Sequence, residues 1–93
     1  MIKSFGDKNT EELYITGKSR KIKPAIISSA LRKLDYINAA NSINDLRIPP
    51  GNRLELLKGD YSGKYSIRIN DQYRIVFNFE RSNAHNVEIK DYH

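Results

Sequence analysis

The last three residues of the chain, Asp91, Tyr92 and His93, bring together a carboxylate, a phenol and an imidazole. A carboxylate and an imidazole can exchange protons near neutral pH, and a phenol adds an aromatic surface and a hydrogen-bond donor. Terminal residues usually fray, but a strand predicted over 86–89 would hold these three against a sheet. The tripeptide is therefore a candidate acid–base site, although three residues alone do not specify a reaction.

Basic residues mixed with tyrosines form a second group with chemical potential. The C-terminal half contains Arg53, Lys58, Lys64, Arg68, Arg74, Arg81 and Lys90, interleaved with Tyr61, Tyr65, Tyr73 and Tyr92. Cations bind phosphates while aromatic rings stack on bases, so this mixture is typical of nucleic-acid binding. The alternative is that most of these charges simply keep a small domain soluble.

The strands that must position these groups follow from alternation in the sequence. Apolar and polar residues alternate over 65–69 and again over 73–79, which is typical of two strands with one buried face. Both strands keep their apolar residues on that face only if 70–72 form a three-residue loop, because paired residue numbers must then share parity. The predicted register pairs Ile67 with Ile75.

The same register sets Arg68 directly opposite Arg74, on the face away from the core. Like charges opposed across a ladder repel each other. We therefore expect compensation, either from an acidic neighbour, for which Glu55 and Glu88 are the candidates, or from a bound phosphate.

Two helices are predicted before the sheet. A short helix begins at Thr10 and ends near Gly17, and a longer one begins at Pro24 and stops near Asn41. The longer helix has an apolar face made of Ile27, Ala30, Leu31, Leu34 and Ile37, with Arg32, Lys33 and Asp35 assigned to its other faces. Short strands are expected over 2–5 and 54–57, and an ordered loop over 47–52.

Length and composition limit the class of protein. The chain has 93 residues, sixteen Lys or Arg against eleven Asp or Glu, a net charge of +5, and no cysteine. This excludes a disulfide framework and a thiolate zinc site, and we expect one soluble, cytosolic domain without a signal peptide or membrane span. The stretch 13–34 contains no acidic residue, which points to a polyanionic partner.

Several segments together resemble one known family. Residues 49–55, 57–60, 65–75 and the closing 91–93 are similar to HigB toxins, the plasmid-maintenance killer proteins of the RelE-like superfamily of toxin–antitoxin systems. The opening 1–5 and the turn 16–18 are also similar, so the resemblance covers essentially the whole chain.

The resemblance implies a fold and an activity. It implies an α+β protein, a single RelE-like domain over 1–93, with two N-terminal helices packed on a mainly antiparallel, twisted sheet. Such toxins enter the A site of the small ribosomal subunit, contact ribosomal RNA and cleave mRNA, which stops translation in the cytoplasm. A HigA-like helix-turn-helix antitoxin is the implied partner, and neither a cofactor nor a metal is implied.

The resemblance also implies site residues. By position, the catalytic groups fall on Lys58, Arg74, Asp91, Tyr92 and His93. The placement of charge, and not the resemblance, assigns the acid-free stretch 13–34 to docking of ribosomal RNA or of an acidic antitoxin segment. The residues expected to bind RNA are Arg53, Glu55, Arg68, Lys18, Arg20, Lys21 and Lys23. Some family members have a histidine where this chain has Glu55, so a histidine acid–base group is not expected there.

Cleavage of RNA by its own 2′-OH explains these residue types. The hydroxyl must lose a proton, the leaving 5′-oxygen must gain one, and the phosphorane's extra charge must be neutralised. Lys58 and Arg74 suit the last task, whereas Asp91, His93 and Glu55 all remain candidates for the base. A non-catalytic binder of ribosome or RNA is the main alternative. A DNA-binding repressor is a weaker one, because 17–23 is too long for a helix-turn-helix turn.

Overall fold

The computed structural model describes residues 1–92, which form two helices followed by a four-stranded antiparallel sheet. The helices are α1 (Lys8–Thr16) and α2 (Pro24–Ala39), and the strands are β1 (Glu55–Leu56), β2 (Tyr65–Arg68), β3 (Tyr73–Glu80) and β4 (Asn83–Asp91). The strands lie in the order β1-β2-β3-β4 across the sheet. This confirms the predicted α+β architecture.

Both helices end where the sequence indicates a break. Helix α1 begins two residues before the predicted Thr10 and ends at Gly17, whose φ of 76° lies in the left-handed region and whose N–H donates to the Leu13 carbonyl. Helix α2 begins at Pro24, where the missing N–H costs no hydrogen bond, and ends at Ala39, two residues before the predicted stop.

The buried face of α2 is shifted from the predicted face: Ile26 and Lys33 are buried, whereas the predicted Ile27 and Leu31 are only half-buried. Ile26, Ala30, Leu34 and Ile37 are buried as a helical stripe. Lys33, which the sequence pattern assigned to an outer face, is also buried, with only 6% of its surface exposed. The pattern failed here because it treats lysine as a surface residue, whereas this ammonium meets a polar partner on a distant loop.

The N-terminal segment joins the sheet without forming a regular strand. Residues 2–5 were predicted to be a strand, and they pair with β4 through two isolated parallel bridges, Ile2 to Ala84 and Phe5 to Val87. The predicted loop 47–52 contains a cis Ile48–Pro49 bond and a 3-10 turn over Pro50–Asn52.

The register predicted for the β2–β3 hairpin is confirmed. Ile67 pairs with Ile75 and Arg68 pairs with Arg74, while the Ile69 N–H donates to the Tyr73 carbonyl at 2.9 Å. The two isoleucines are fully buried, so the two arginines project from the opposite face.

A bulge in β4 changes which residues meet β3. Near the turn, Phe79 pairs with Ala84, but beyond a register shift Ile75 pairs with Ile89 and Arg74 pairs with Lys90. Asn86 lies within this irregular stretch with a φ of 54°. The bulge keeps the later apolar residues on the core face and moves Lys90 beside Arg74 on the outer face.

The core lies between the helices and one face of the sheet. Its fully buried members include Leu13, Leu34, Ile37, Leu46, Ile67, Ile75, Phe77 and Val87. Within residues 1–92, no helix is long and apolar enough to cross a membrane.

Replacing Gly17 by Ala tests the end of α1. A non-glycine residue in the left-handed region costs about 1–2 kcal/mol, and a methyl group at Gly17 would meet no atom within 4 Å, so backbone strain is the expected effect. We expect the melting temperature to fall by about 4–8 °C per kcal/mol. Gly51→Ala is the matched control, because this glycine has equally open surroundings without a positive φ. Equal melting temperatures for the two variants would contradict the assignment.

Candidate active site

A cleft of about 460 Å³ opens at the end of the sheet where the β2–β3 turn meets the end of β4. It is lined by Arg53, Arg68, Asn70, Asp71, Arg74 and Tyr92. Three arginines and an aromatic ring therefore share one concave surface. These are residue types that bind phosphate and stack on bases.

Arg68 is compensated within its own turn. Its guanidinium forms a salt bridge with Asp71, three residues further along the chain. The predicted compensators, Glu55 and Glu88, were wrong: Glu88 bonds to Lys90 instead, at 3.3 Å. Because the Asp71 side chain is 96% exposed, this pair contributes at most about 1 kcal/mol to folding and exchanges readily.

Arg74 is held by neutral acceptors. Its Nε donates to the Oγ of the fully buried Ser66 at 2.8 Å, and its Nη2 donates to the Arg53 carbonyl at 2.7 Å. A guanidinium has five N–H donors, and these bonds use two of them. Among residues 1–92 no carboxylate forms a salt bridge with Arg74, so its position is fixed while its charge remains available to an anion.

Lys90 extends the arginine pair into a row across three strands. It lies opposite Arg74 on β4, as Arg68 does on β2. The hydrogen bond and charge of Glu88 raise the pKa of the Lys90 ammonium. Its Nζ also lies 5.9 Å from the centre of the Tyr61 ring.

Sequence reasoning did not select Lys90 as a site residue, because its place depends on the β4 bulge. One signal was available in the sequence, in the spacing of the apolar residues of β4. Ala84 and Val87 are three apart, whereas strict alternation would separate them by two.

Asp91 and Tyr92 are attached to the β2–β3 turn. The Tyr92 N–H donates to the Gln72 carbonyl, and the Gln72 side-chain amide donates to Asp91 Oδ2 at 3.1 Å. Tyr92 lines the arginine cleft, while Asp91 lines a neighbouring pocket of about 170 Å³. His93, the third member of the predicted tripeptide, lies outside the described residues.

Lys58 and Glu55 are not brought into the arginine cleft. Both are exposed and line a separate depression beside β1. Glu55 pairs with Ser66 across β1 and β2, and Ser66 in turn accepts a hydrogen bond from Arg74. The Glu55 side chain therefore lies on the same face of the sheet as Arg74.

The four basic residues predicted to bind RNA near the N-terminus lie on the connection between α1 and α2. Lys18, Arg20, Lys21 and Lys23 are all exposed. Lys21 and Lys23 line the pocket that Asp91 also lines, and this brings their charge to the end of β4. Lys18 and Arg20 lie further along the same connection.

A buried polar pair behind the cleft was missed by sequence reasoning. Lys33 Nζ donates to Asn52 Oδ1 at 2.5 Å, and Asn52 is fully buried. Burial, followed by the charges of Arg32 and Arg68, lowers the pKa of the Lys33 ammonium. Within the described chain no carboxylate forms a salt bridge with this lysine.

A comparison with protein families decides the class of this protein. A family model described as the RelE-like toxin of the type II toxin–antitoxin system HigB matches residues 3–93. The chain belongs to the HigB-like toxins. The family resemblance seen in the sequence is confirmed, and a type II toxin has an antitoxin as its class of partner. Among residues 1–92, no three His, Asp or Glu side chains are grouped to hold a metal ion.

Individual proteins are consistent with this assignment. The HigB-like chain is 47% identical over 78 residues to Toxin HigB-1 of Vibrio cholerae serotype O1, covering 83% of this chain and 82% of that one. It is 31% identical over 93 residues to Endoribonuclease HigB of Proteus vulgaris, covering both chains completely. The toxin–antitoxin complex YoeB–YefM from Staphylococcus aureus contains a chain of the same fold, with a TM-score of 0.62 at 19% identity, covering 100% of this chain and 98% of that chain.

The burial of Lys33 predicts a dependence of stability on pH. The native pKa is lowered from 10.5, so the native state releases its proton at a lower pH than the unfolded state does. The free energy of unfolding of the wild type, measured relative to Lys33→Met, should therefore rise as the pH approaches 10.5. Urea unfolding of both proteins from about pH 7 upward measures this difference. If the free energies of unfolding of the two proteins changed in parallel with pH, burial would not lower the pKa of Lys33.

Proposed function

We propose that this HigB-like toxin is a ribosome-dependent endoribonuclease that cleaves mRNA in the A site and thereby inhibits translation. The observation that carries the proposal is the cleft in which Arg53, Arg68, Arg74 and Tyr92 meet. Membership of the HigB-like family supports the same activity, since the Proteus vulgaris relative is named an endoribonuclease.

Arg74 is suited to stabilising the transition state. Attack of a 2′-OH on the adjacent phosphate places extra negative charge on the phosphorane oxygens, and the leaving 5′-oxygen needs a proton. Arg74 is already oriented by Ser66 and the Arg53 carbonyl, so it needs no rearrangement when that charge develops. The nucleophile belongs to the RNA, and the proposed reaction therefore requires no cofactor.

The remaining roles are assigned by location. Tyr92 lines the cleft and has the ring needed to stack on a displaced base. Asp91 neighbours Tyr92 in the chain and is a candidate base, together with His93 and Glu55. Lys58 lies further away, beside β1, and has the long side chain needed to reach the phosphate of a bound RNA.

The connection between α1 and α2 is proposed to bind the ribosome. Lys18, Arg20, Lys21 and Lys23 give it four positive charges, and neither α2 nor the connection before it contains an acidic residue until Asp35. Such a surface binds ribosomal RNA of the small subunit by phosphate contacts. We propose a HigA-like helix-turn-helix protein as the antitoxin, and the cytoplasm, where ribosomes translate, as the place of action.

A non-catalytic binder of ribosome or RNA is the second candidate. The observation that favours it is the position of Glu55 and Lys58, which line a depression separate from the arginine cleft. On this alternative, the protein occupies the A site and stops translation without cutting. It predicts translation arrest with no new mRNA ends.

Replacing Arg74 or Tyr92 separates the two candidates. Arg74→Lys keeps the charge but loses the two-pronged guanidinium, and we expect it to lower the cleavage rate by about 10²–10³-fold. Tyr92→Ala should also lower the rate, because the stacking ring is lost. Primer extension on mRNA from a translating extract maps the cut ends and their yield.

Arg81→Lys is the matched control for this experiment. Arg81 lies in the β3–β4 turn, in a different turn from the one that borders the cleft, and its replacement should leave cleavage unchanged. Uncut mRNA with the wild-type protein would refute the endoribonuclease. Cutting by the Arg74 and Tyr92 variants at the wild-type rate would refute it as well.

Cleavage of purified RNA should be much weaker than cleavage on ribosomes. The described site contributes charge and stacking, whereas in-line placement of the 2′-OH is left to the ribosome, and such placement accounts for a large part of a barrier. Single-turnover assays with and without programmed ribosomes measure the ratio, which we expect to exceed about 10²-fold. Equal rates in the two assays would contradict ribosome dependence.

A further inference from the structure

Lys33 and Asn52 form a buried polar pair that the proposed catalytic chemistry does not use. Lys33 is 6% exposed, Asn52 is fully buried, and their side chains meet at 2.5 Å across nineteen residues of sequence. An ammonium in such a place is costly to desolvate. If filling space were its purpose, an apolar side chain of the same length would fill it at lower cost.

The pair controls a turn. Asn52 uses its side-chain amide to donate to two backbone carbonyls, Leu46 O at 3.1 Å and Ile48 O at 3.4 Å. Its own N–H donates to the Pro49 carbonyl, which closes the 3-10 turn over Pro50–Asn52. One side chain thus fixes the path of the loop that follows α2, and Lys33 fixes that side chain.

The turn ends at Arg53 in an unusual backbone conformation. Arg53 has a φ of 47°, in the left-handed region that non-glycine residues rarely occupy. This conformation sets the direction of the Arg53 carbonyl, which accepts the 2.7 Å hydrogen bond from Arg74 Nη2. A chain of hydrogen bonds and one turn therefore runs from α2 to the guanidinium in the cleft.

We propose that Lys33 is a positioning residue for Arg74, acting through Asn52 and the Arg53 carbonyl. The inference rests on the proposed function for its catalytic consequence. The orientation of Arg74 by Lys33 does not depend on which reaction takes place in the cleft. Without the ammonium, the buried Asn52 Oδ1 loses its donor and the amide is held only by its bonds to the Leu46 and Ile48 carbonyls. The turn then loosens, and Arg74 keeps only its bond to Ser66.

Two variants interrupt this series of hydrogen bonds at different places. Lys33→Met removes the ammonium and keeps the length of the side chain. Asn52→Asp keeps an acceptor for Lys33 and gives the ammonium a carboxylate partner. It removes the two hydrogen bonds that the amide donates to the Leu46 and Ile48 carbonyls. Lys8→Met, an exposed lysine on α1, is the matched control. If Lys33→Met does not fold, Asn52→Asp decides the question.

The first measurement is single-turnover cleavage on programmed ribosomes at increasing toxin concentration. We expect both variants to lower the saturating rate by about ten- to a hundredfold, because misplacing a catalytic group has effects of this size. The half-saturating concentration should stay unchanged, since the exposed basic residues are untouched. A purely structural role would lower the melting temperature without changing the rate per folded molecule, and that result would overturn the proposal.

The second measurement observes Arg74 directly and does not need activity. The Arg74 Nη2–H resonance in a ¹⁵N-labelled protein reports the hydrogen bond to the Arg53 carbonyl, which is the bond that the variants should release. We expect both variants to shift this resonance and to speed its exchange with water about tenfold, while Lys8→Met leaves it unchanged. An unchanged resonance in a folded variant would refute the positioning role. If the wild type cuts no mRNA, the proposed function fails alone, and this measurement still decides the role of Lys33.

Discussion

The site depends on one constraint, the register that sets Arg68 opposite Arg74 between β2 and β3. Burying an isoleucine is worth about 2 kcal/mol, and Ile67 and Ile75 are both fully buried in this register. Repulsion between opposed charges on a sheet costs only about 0.2–1 kcal/mol. The core therefore decides the register, and the outer face receives two adjacent guanidinium groups whatever their mutual repulsion. A slip of either strand by one residue would turn that strand over, burying its arginine and exposing its isoleucine.

Features governed by local spacing were predictable from the sequence. The parity rule was sufficient for the hairpin, because both of its strands alternate regularly and a single loop length satisfies both. The helix that begins at Pro24 follows from its 3.6-residue period, and Gly17 marks the end of the first helix because a left-handed residue is needed there. Each inference used residues within one or two elements, where the chain itself limits the alternatives. The arginine pair in the cleft was therefore foreseen, although the roles of its residues remain predictions.

Features that depend on distant contacts or on irregular backbone were not predictable. Lys33 is buried because Asn52, nineteen residues away, supplies an acceptor, and no pattern within α2 indicates this. Lys90 reaches Arg74 through a bulge that breaks the alternation of β4. The partner of Arg68 could not be chosen from the sequence either, since Asp71 competes with other carboxylates only when the shape of the turn is known. In each case the deciding quantity was the three-dimensional path of a loop.

The two arginines satisfy the same constraint in different ways, and the difference has a chemical consequence. Arg68 is neutralised by an exposed carboxylate, which water screens and an incoming phosphate can replace at little cost. Arg74 is bound by a buried hydroxyl and a backbone carbonyl, which fix its geometry without cancelling its charge. Fixed charge is worth most where negative charge appears only briefly, because no reorganisation is then needed. On the proposed function, Arg68 is therefore suited to capturing the RNA backbone, and Arg74 to stabilising the phosphorane.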